Sequence, residues 1–219
     1  MDRKKIDIYK RIKESFVIPI FSSNDFDEAK IVIESVIEGG AKIIELTHRK
    51  ENSYNVFKKI QENFSEKIII GAGSITDVST ASLYLNSGAK FIVGPNYNSE
   101  IMKLCNRINV LYIPGCATLN EILKAYEEGA IVVKLFPAEE IGGVNFLKNI
   151  KGPCPWVECI PTGGIKLEKE CLAKWKEAGA VAVGMGSKLL KKELIKNRDK
   201  EGLKNNISKA IEIIKQLNI

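Results

Sequence analysis

Apolar side chains along this chain recur with two alternating periods. Short runs rich in β-branched residues fall at 17–21 (VIPIF), 42–47 (KIIELT), 67–72 (KIIIGA), 91–94 (FIVG), 111–114 (LYIP), 131–136 (IVVKLF), 157–161 (VECIP) and 181–185 (VAVGM). Between them lie stretches such as DEAKIVIESVIEGG, TASLYLNSGA, LNEILKAYEEGA and ECLAKWKEAGA, apolar at every third or fourth position. The first pattern suits buried strands and the second amphipathic helices. Strand–helix alternation implies parallel strands joined by crossover helices. Eight such units predict an α/β fold of the closed (β/α)8 TIM-barrel type.

A short internal repeat supports the count. Gly-Ala precedes a strand at 40–41, 88–89, 129–130 and 179–180, two units apart each time. Glycine there supplies the left-handed residue that closes a helix before the chain turns back. An open doubly wound sheet shares this local pattern, but no early GxGxxG fingerprint accompanies it. Upstream, Ile8, Tyr9, Ile12 and Phe16 fall on one helical face, so residues 1–16 are expected to add an N-terminal helix packed on the body. No linker-like tract interrupts the 219 residues, and one domain over 1–219 is expected. The first sixteen residues lack a signal peptide's apolar stretch, and every apolar run is strand-sized. A cytoplasmic protein without a membrane partner is therefore expected.

Composition narrows the chemistry. Five cysteines (105, 116, 154, 159, 171) stand at scattered spacings without a CxxC, and His48 is the single histidine. Metal ligands have no recognisable pattern here, so no metal and no cofactor are expected. The net charge of +6 is modest, and lysines interleave with glutamates. One denser basic run, KLLKKELIKNRDK at 188–200, reads as a solvated helix face. It lacks the interleaved aromatics of a nucleic-acid surface, so no nucleic-acid partner is expected, although a field that attracts small anions is compatible with it.

In a barrel of this type the chemistry sits at the carboxyl ends of the strands. The second strand ends with Glu45, Thr47 and Arg49 at i, i+2, i+4, on one face while the strand persists. The sixth ends with Val132, Lys134 and Phe136 on one face, leaving Leu135 toward the helices. An ammonium inside an apolar strand must reach water, find a partner, or lose basicity for chemical use. Both strands are even-numbered and contribute to the same interior layers, so Glu45 and Lys134 are expected to meet near the axis. A pair that merely fills space is the plain alternative. Strands seven and eight end in Thr162-Gly163-Gly164 and Gly186-Ser187, where such barrels recurrently hold phosphate. Lys188 either reinforces that site or points to solvent. Ser74, in GAGSI, offers a hydroxyl to the same mouth, beside a turn that caps a helix near Asp77. Pro95 and Cys116 lie in loops read as walls, Cys116 as a packed thiol, and His48 should alternate away from Glu45.

A desolvated lysine attacks carbonyls and forms a Schiff base, whose protonated imine is an electron sink. Glu45 suits the proton shuttling, and Arg49 suits a planar substrate carboxylate. Together these describe an aldolase for a small 2-oxo acid, phosphorylated at its far end. Two other readings stay open: a sugar-phosphate isomerase or epimerase with Glu45 as base, and a non-catalytic barrel that binds a phosphometabolite.

The motifs IIELTHR, GAGSI, VKLFPAE, PTGG and GMGS, in this order from about Val17 to Leu190, resemble the class I 2-dehydro-3-deoxy-phosphogluconate (KDPG) / 4-hydroxy-2-oxoglutarate (KHG) aldolases. That resemblance implies a (β/α)8 barrel, a homotrimer, and cleavage to pyruvate plus glyceraldehyde 3-phosphate or glyoxylate, as in the Entner–Doudoroff route. It implies Lys134 as the Schiff-base lysine and Glu45 as the general acid/base. Substrate would be bound by Arg49, Thr47, Ser74, Pro95, Phe136 and Thr162, and phosphate by Gly163, Gly164, Gly186 and Ser187. The chain departs from the family's pattern with Met185-Gly186-Ser187 for G-G-S, with His48 for leucine, and with Lys188 where some members have tryptophan.

Overall fold

Strand and helix alternate along residues 4–218, which the computed structural model describes. The order is α1 (Lys4–Ser15), β1 (Val17–Phe21), α2 (Phe26–Glu38), β2 (Ile43–Thr47), α3 (Ser53–Phe64), β3 (Ile69–Gly73), α4 (Val78–Asn86), β4 (Phe91–Val93), α5 (Ser99–Arg107), β5 (Leu111–Ile113) and β6 (Gly115–Cys116). It continues with α6 (Leu119–Glu127), β7 (Val133–Leu135), α7 (Gly143–Lys151), β8 (Cys159–Pro161), α8 (Lys169–Glu177), β9 (Val183–Met185), α9 (Lys192–Lys196) and α10 (Lys200–Gln216). Side chains start several of the helices: Asp25, Asp77, Asn98, Thr118 and Asp199 each accept a first-turn N–H. The repeated glycines follow α2, α4, α6 and α8, with Gly40, Gly88, Gly129 and Gly179 all lying at φ between 87° and 99°.

The fold is α/β, with curled sheets in which every strand pair is parallel. Six strands run in the order β5-β4-β3-β2-β1-β9, and three in the order β6-β7-β8. The expected fifth strand at 111–114 is broken, because Pro114 has no N–H for the ladder. Its carbonyl still accepts from the Lys134 N–H at 2.8 Å, in register with β6. The late strands are shorter than their apolar runs. Ile131 and Val132, Val157 and Glu158, and Val181 and Ala182 precede β7, β8 and β9 rather than joining them.

Alternation along the strands sorts the core into two clusters. One packs the outward residues, such as Ile44, Leu46, Ile70, Ile92 and Leu135, against the helices. The other gathers Ile18, Ile43, Phe91, Val93, Leu111, Ile113, Val132 and Ile160, with Ile12 of α1 buried against them. Ile8 and Tyr9 of α1 pack on the same cluster. In this way α1 lies against the amino ends of the strands. Phe16 departs from the expectation: it lies beyond the helix at φ 52° and joins the outer cluster. Residues 1–3, part of that expected helix, lie outside the described residues. Among the described residues, no helix is long and apolar enough to cross a membrane.

Candidate active site

Lys134 and Glu45 are the only charged side chains buried among the described residues, at 4% and 3% exposure. They come from the middle of β7 and of β2. Glu45 pairs with Gly71 across the β2–β3 ladder, and a Cβ on Gly73, one inward position further, would overlap Glu45 Oε1. That glycine leaves the volume into which the carboxylate turns. The Lys134 Nζ and Glu45 Oε1 stand 3.7 Å apart. This is close enough for each charge to offset the other's desolvation and too long for a hydrogen bond. Glu45 Oε1 has no hydrogen-bond partner at all. A buried, unused acceptor beside a buried amine is a place where a reacting hydroxyl or proton fits. Phe136, half-buried, sets its ring centroid 5.1 Å from Nζ, and Leu135 faces outward.

Past the end of β2 the chain leaves the strand, so Arg49 no longer alternates with Glu45 and is exposed. It stays at the mouth because its Nε donates to Ser74 Oγ at 3.0 Å. Ser74 holds a left-handed backbone, φ 58°, just after β3. Asp77, three residues on, is the actual cap of α4. Thr47 is buried, its hydroxyl donating to the Phe21 carbonyl at 3.3 Å. His48 points away from Glu45 to the Tyr84 hydroxyl, 2.9 Å from its Nδ1. Burial pushes the Tyr84 phenol well above its ordinary range, so it keeps its proton, and the His48 tautomer sets which of the two donates.

An open cleft of about 840 Å³ adjoins this pair. Thr47, Arg49, Gly186 and Ser187 line it, as do Ile20, Ser22 and Lys50. Lys134 and Glu45 do not line it; Glu45 stands two positions before Thr47 on β2 and pairs with Ile20 of β1. Gly163 and Gly164 turn at φ 103° and 81° directly after β8, and Thr162 Oγ1 occupies the space a Cβ on Gly184 would need. The N–H groups of Gly163, Gly164 and Ser187 have no acceptor among the described residues. Pro95 is half-buried, its carbonyl against Gly115. Cys116 is packed away, burial pushing its thiol up to about 12. Among the described residues no group of three or more His, Cys, Asp or Glu side chains is gathered for a metal.

Sequence reasoning missed the wall opposite Arg49. Lys192, Lys196 and Arg198 line the cleft, together with Ile195 and Leu190, whereas the basic run was expected to be a solvated face. Lys192, Lys196 and Arg198 are nonetheless exposed, as expected of a solvated face, whereas Lys200 is half-buried and pairs with Glu34 and Glu38 on α2. The unusual density of lysine was the one available signal.

The family model for the KDPG and KHG aldolases matches residues 8–205. The chain belongs to the KDPG and KHG aldolase family. Its relatives in that family include the 2-dehydro-3-deoxy-phosphogluconate aldolase of Haemophilus influenzae, 30% identical over 95% of this chain and 97% of that protein. The KHG/KDPG aldolase of Escherichia coli K12 is 30% identical over 68% of this chain and 70% of its own length. Among solved structures, the KDPG aldolase of Legionella pneumophila, captured with pyruvate as a covalent carbinolamine, superposes with a TM-score of 0.85. It is 26% identical, covering 91% of this chain and 96% of that one. The resemblance read from the motifs is therefore shown, and the isomerase and non-catalytic readings are not favoured.

Proposed function

We propose that the protein is a Schiff-base aldolase, a lyase that cleaves 2-dehydro-3-deoxy-6-phosphogluconate to pyruvate and glyceraldehyde 3-phosphate, or 4-hydroxy-2-oxoglutarate to pyruvate and glyoxylate. The observation that carries this reading is the isolated buried pair of Lys134 and Glu45. A carbinolamine is the adduct of an amine and a ketone, the species named for the Legionella relative, and Lys134 is the buried amine at the corresponding chemistry here.

In this mechanism Lys134 Nζ, having passed a proton to Glu45, attacks the C2 ketone of the substrate. Glu45 gives that proton to the carbinolamine's departing hydroxyl, so water leaves, a protonated imine remains and Glu45 is a carboxylate again. Glu45 then removes the C4 hydroxyl proton, the C3–C4 bond breaks, the aldehyde leaves, and the electron pair moves into an enamine. Returning the proton to C3 and adding water across the imine releases pyruvate and frees the amine. Arg49 binds the substrate carboxylate through its Nη nitrogens, its Nε being committed to Ser74. Thr47, Ser74, Pro95, Phe136 and Thr162 enclose the pyruvyl portion. The uncommitted N–H groups of Gly163, Gly164 and Ser187, with Gly186 between strand and loop, receive the phosphate.

The same reading makes the chain one domain, 1–219, with its two sheets as parts of one closed (β/α)8 barrel. A parallel bridge between Thr162 and Gly184 and the Val181 N–H bonded to the Cys159 carbonyl support closure on one side. On the other side the β5–β6 break spans a single residue. The homotrimer, the cytoplasmic setting and the Entner–Doudoroff role rest on the family resemblance. Offering both substrates to the purified protein and following pyruvate tests the function. Pyruvate in equal amount with glyceraldehyde 3-phosphate or glyoxylate is expected, and no pyruvate from either would overturn the reading.

A further inference from the structure

The cleft wall facing Arg49 is built by α9 and the turn that follows it. Lys192 and Lys196 stand on this five-residue helix, and Arg198 lies two residues beyond Lys196. Lys50, beside Arg49, adds a further cation on the near side. None of Lys50, Lys192, Lys196 or Arg198 makes a side-chain ion pair or hydrogen bond among the described residues. Helix lysines elsewhere often do, as Lys103 with Glu100, Lys174 with Glu170 and Lys204 with Glu201. Two carboxylates also line the cleft, but both are engaged. Asp25 accepts from the Glu28 N–H at 2.6 Å to start α2, and Glu28 accepts from Ser23 Oγ at 2.6 Å.

Arg198 carries a second peculiarity. It sits at φ 51°, with its N–H bonded to the Ile195 carbonyl and the Asp199 N–H reaching back to the Leu194 carbonyl. This hydrogen-bond pattern closes a helix through one left-handed residue, a position that glycine fills at least steric cost. Asp199 then caps α10 by accepting the Gly202 N–H at 2.8 Å, so both sides of Arg198 are tied down. A guanidinium is thus held at a position where the backbone favours having no side chain, and it lines the cleft that Ser187 enters.

We propose that Lys192, Lys196 and Arg198 are specificity-determining residues that hold the distal dianion of the substrate, extending the backbone cradle at Gly186 and Ser187 with a wall of side-chain cations. The assignment rests on the aldolase reading for its substrate. It favours a 2-oxo acid ending in phosphate over the same acid without it. A planar guanidinium and two ammonium groups match a phosphate's oxygens, and their charge adds most to a doubly negative ligand.

Two measurements on a K192Q/K196Q/R198N triple variant test this, with asparagine chosen because it tolerates the left-handed backbone. The first is calorimetric binding of glycerol 3-phosphate, which needs no catalysis. The second is the ratio of kcat/KM for 2-dehydro-3-deoxy-6-phosphogluconate to that for 2-dehydro-3-deoxygluconate. A K103Q/K174Q/K204Q variant removes the same net charge away from the cleft. Binding by the cleft variant is expected to weaken roughly tenfold or more, with the ratio falling alike through KM, while the control stays within about twofold. Equal binding by wild type and cleft variant, or an equal loss in the control, overturns the proposal. So does a wild-type protein that fails to bind glycerol 3-phosphate at millimolar concentration. If the wild type binds it but releases no pyruvate, the aldolase reading fails and the binding comparison alone decides the role of the wall.

Discussion

At the scale of single residues, the chemistry depends on one unsatisfied oxygen. Glu45 Oε1 lies 3.7 Å from the Lys134 amine and accepts no hydrogen bond among the described residues, which leaves room beside it for the reacting group of the proposed mechanism. Its freedom depends on Gly73, since any Cβ there would overlap the carboxylate. Gly73→Ala is therefore expected to act like a mutation of Glu45 itself. Both Gly73→Ala and Glu45→Gln should lower kcat by about 10²–10⁴, the range general acid–base catalysis supplies. Steady-state kinetics checks this, and a Gly73→Ala enzyme within twofold of wild type would show that the carboxylate does not need its present position. Lys134 and Glu45 were legible in the sequence because a charge inside an apolar strand is rare enough to demand a reason. Gly73 was not, since a glycine at a strand end reads equally well as an ordinary turn residue.

Among the elements, those with strong local signals were predicted best. The Gly-Ala repeats and the apolar periods identified the units, but they could not show where strands stop. Pro114 breaks the fifth strand, and the last three strands begin two residues late because pairing depends on the neighbouring strand's register. Phe16 left its expected helical face because the chain must turn from α1 into β1, and that turn needs a left-handed residue. The basic run is solvated as expected, but its place beside the cleft was not foreseen. Helical period tells which residues share a face but not what that face overlooks, so the cleft wall on α9 was invisible. One capping prediction belongs here. Hydrogen bonds from the Thr80 N–H and hydroxyl hold the Asp77 carboxyl below its usual value, with Asp77 starting α4. A depressed folded value stabilises the protein above the ordinary carboxylate range, and that contribution is lost as pH falls through the folded value. Asp77→Ala should cost about 1 kcal/mol near neutrality, read by denaturant unfolding. The difference from wild type should shrink as pH falls below the ordinary carboxylate range and on through the lower folded value, where the carboxyl is protonated in both states. A difference independent of pH would remove the charged cap from the account.

For the whole molecule, the arrangement separates stability from chemistry. Ile12 and the inner cluster fill the amino ends of the strands beneath α1, whereas Glu45 and Lys134 lie mid-strand and the glycine loops follow the carboxyl ends. The pair is almost wholly buried, and in the proposed function substrate would enter by the cleft that Thr47 and Arg49 line. Every role assigned to the surrounding residues follows from a covalent bond at one nitrogen, so the most direct measurement looks for that bond. The protein is incubated with pyruvate and borohydride, and the reduced adduct is mapped by peptide mass spectrometry. One pyruvate-derived addition per chain is expected, on Lys134, and it should vanish in Lys134→Arg, which keeps the charge but forms no imine. An adduct on another lysine, or no adduct at all, would contradict the account.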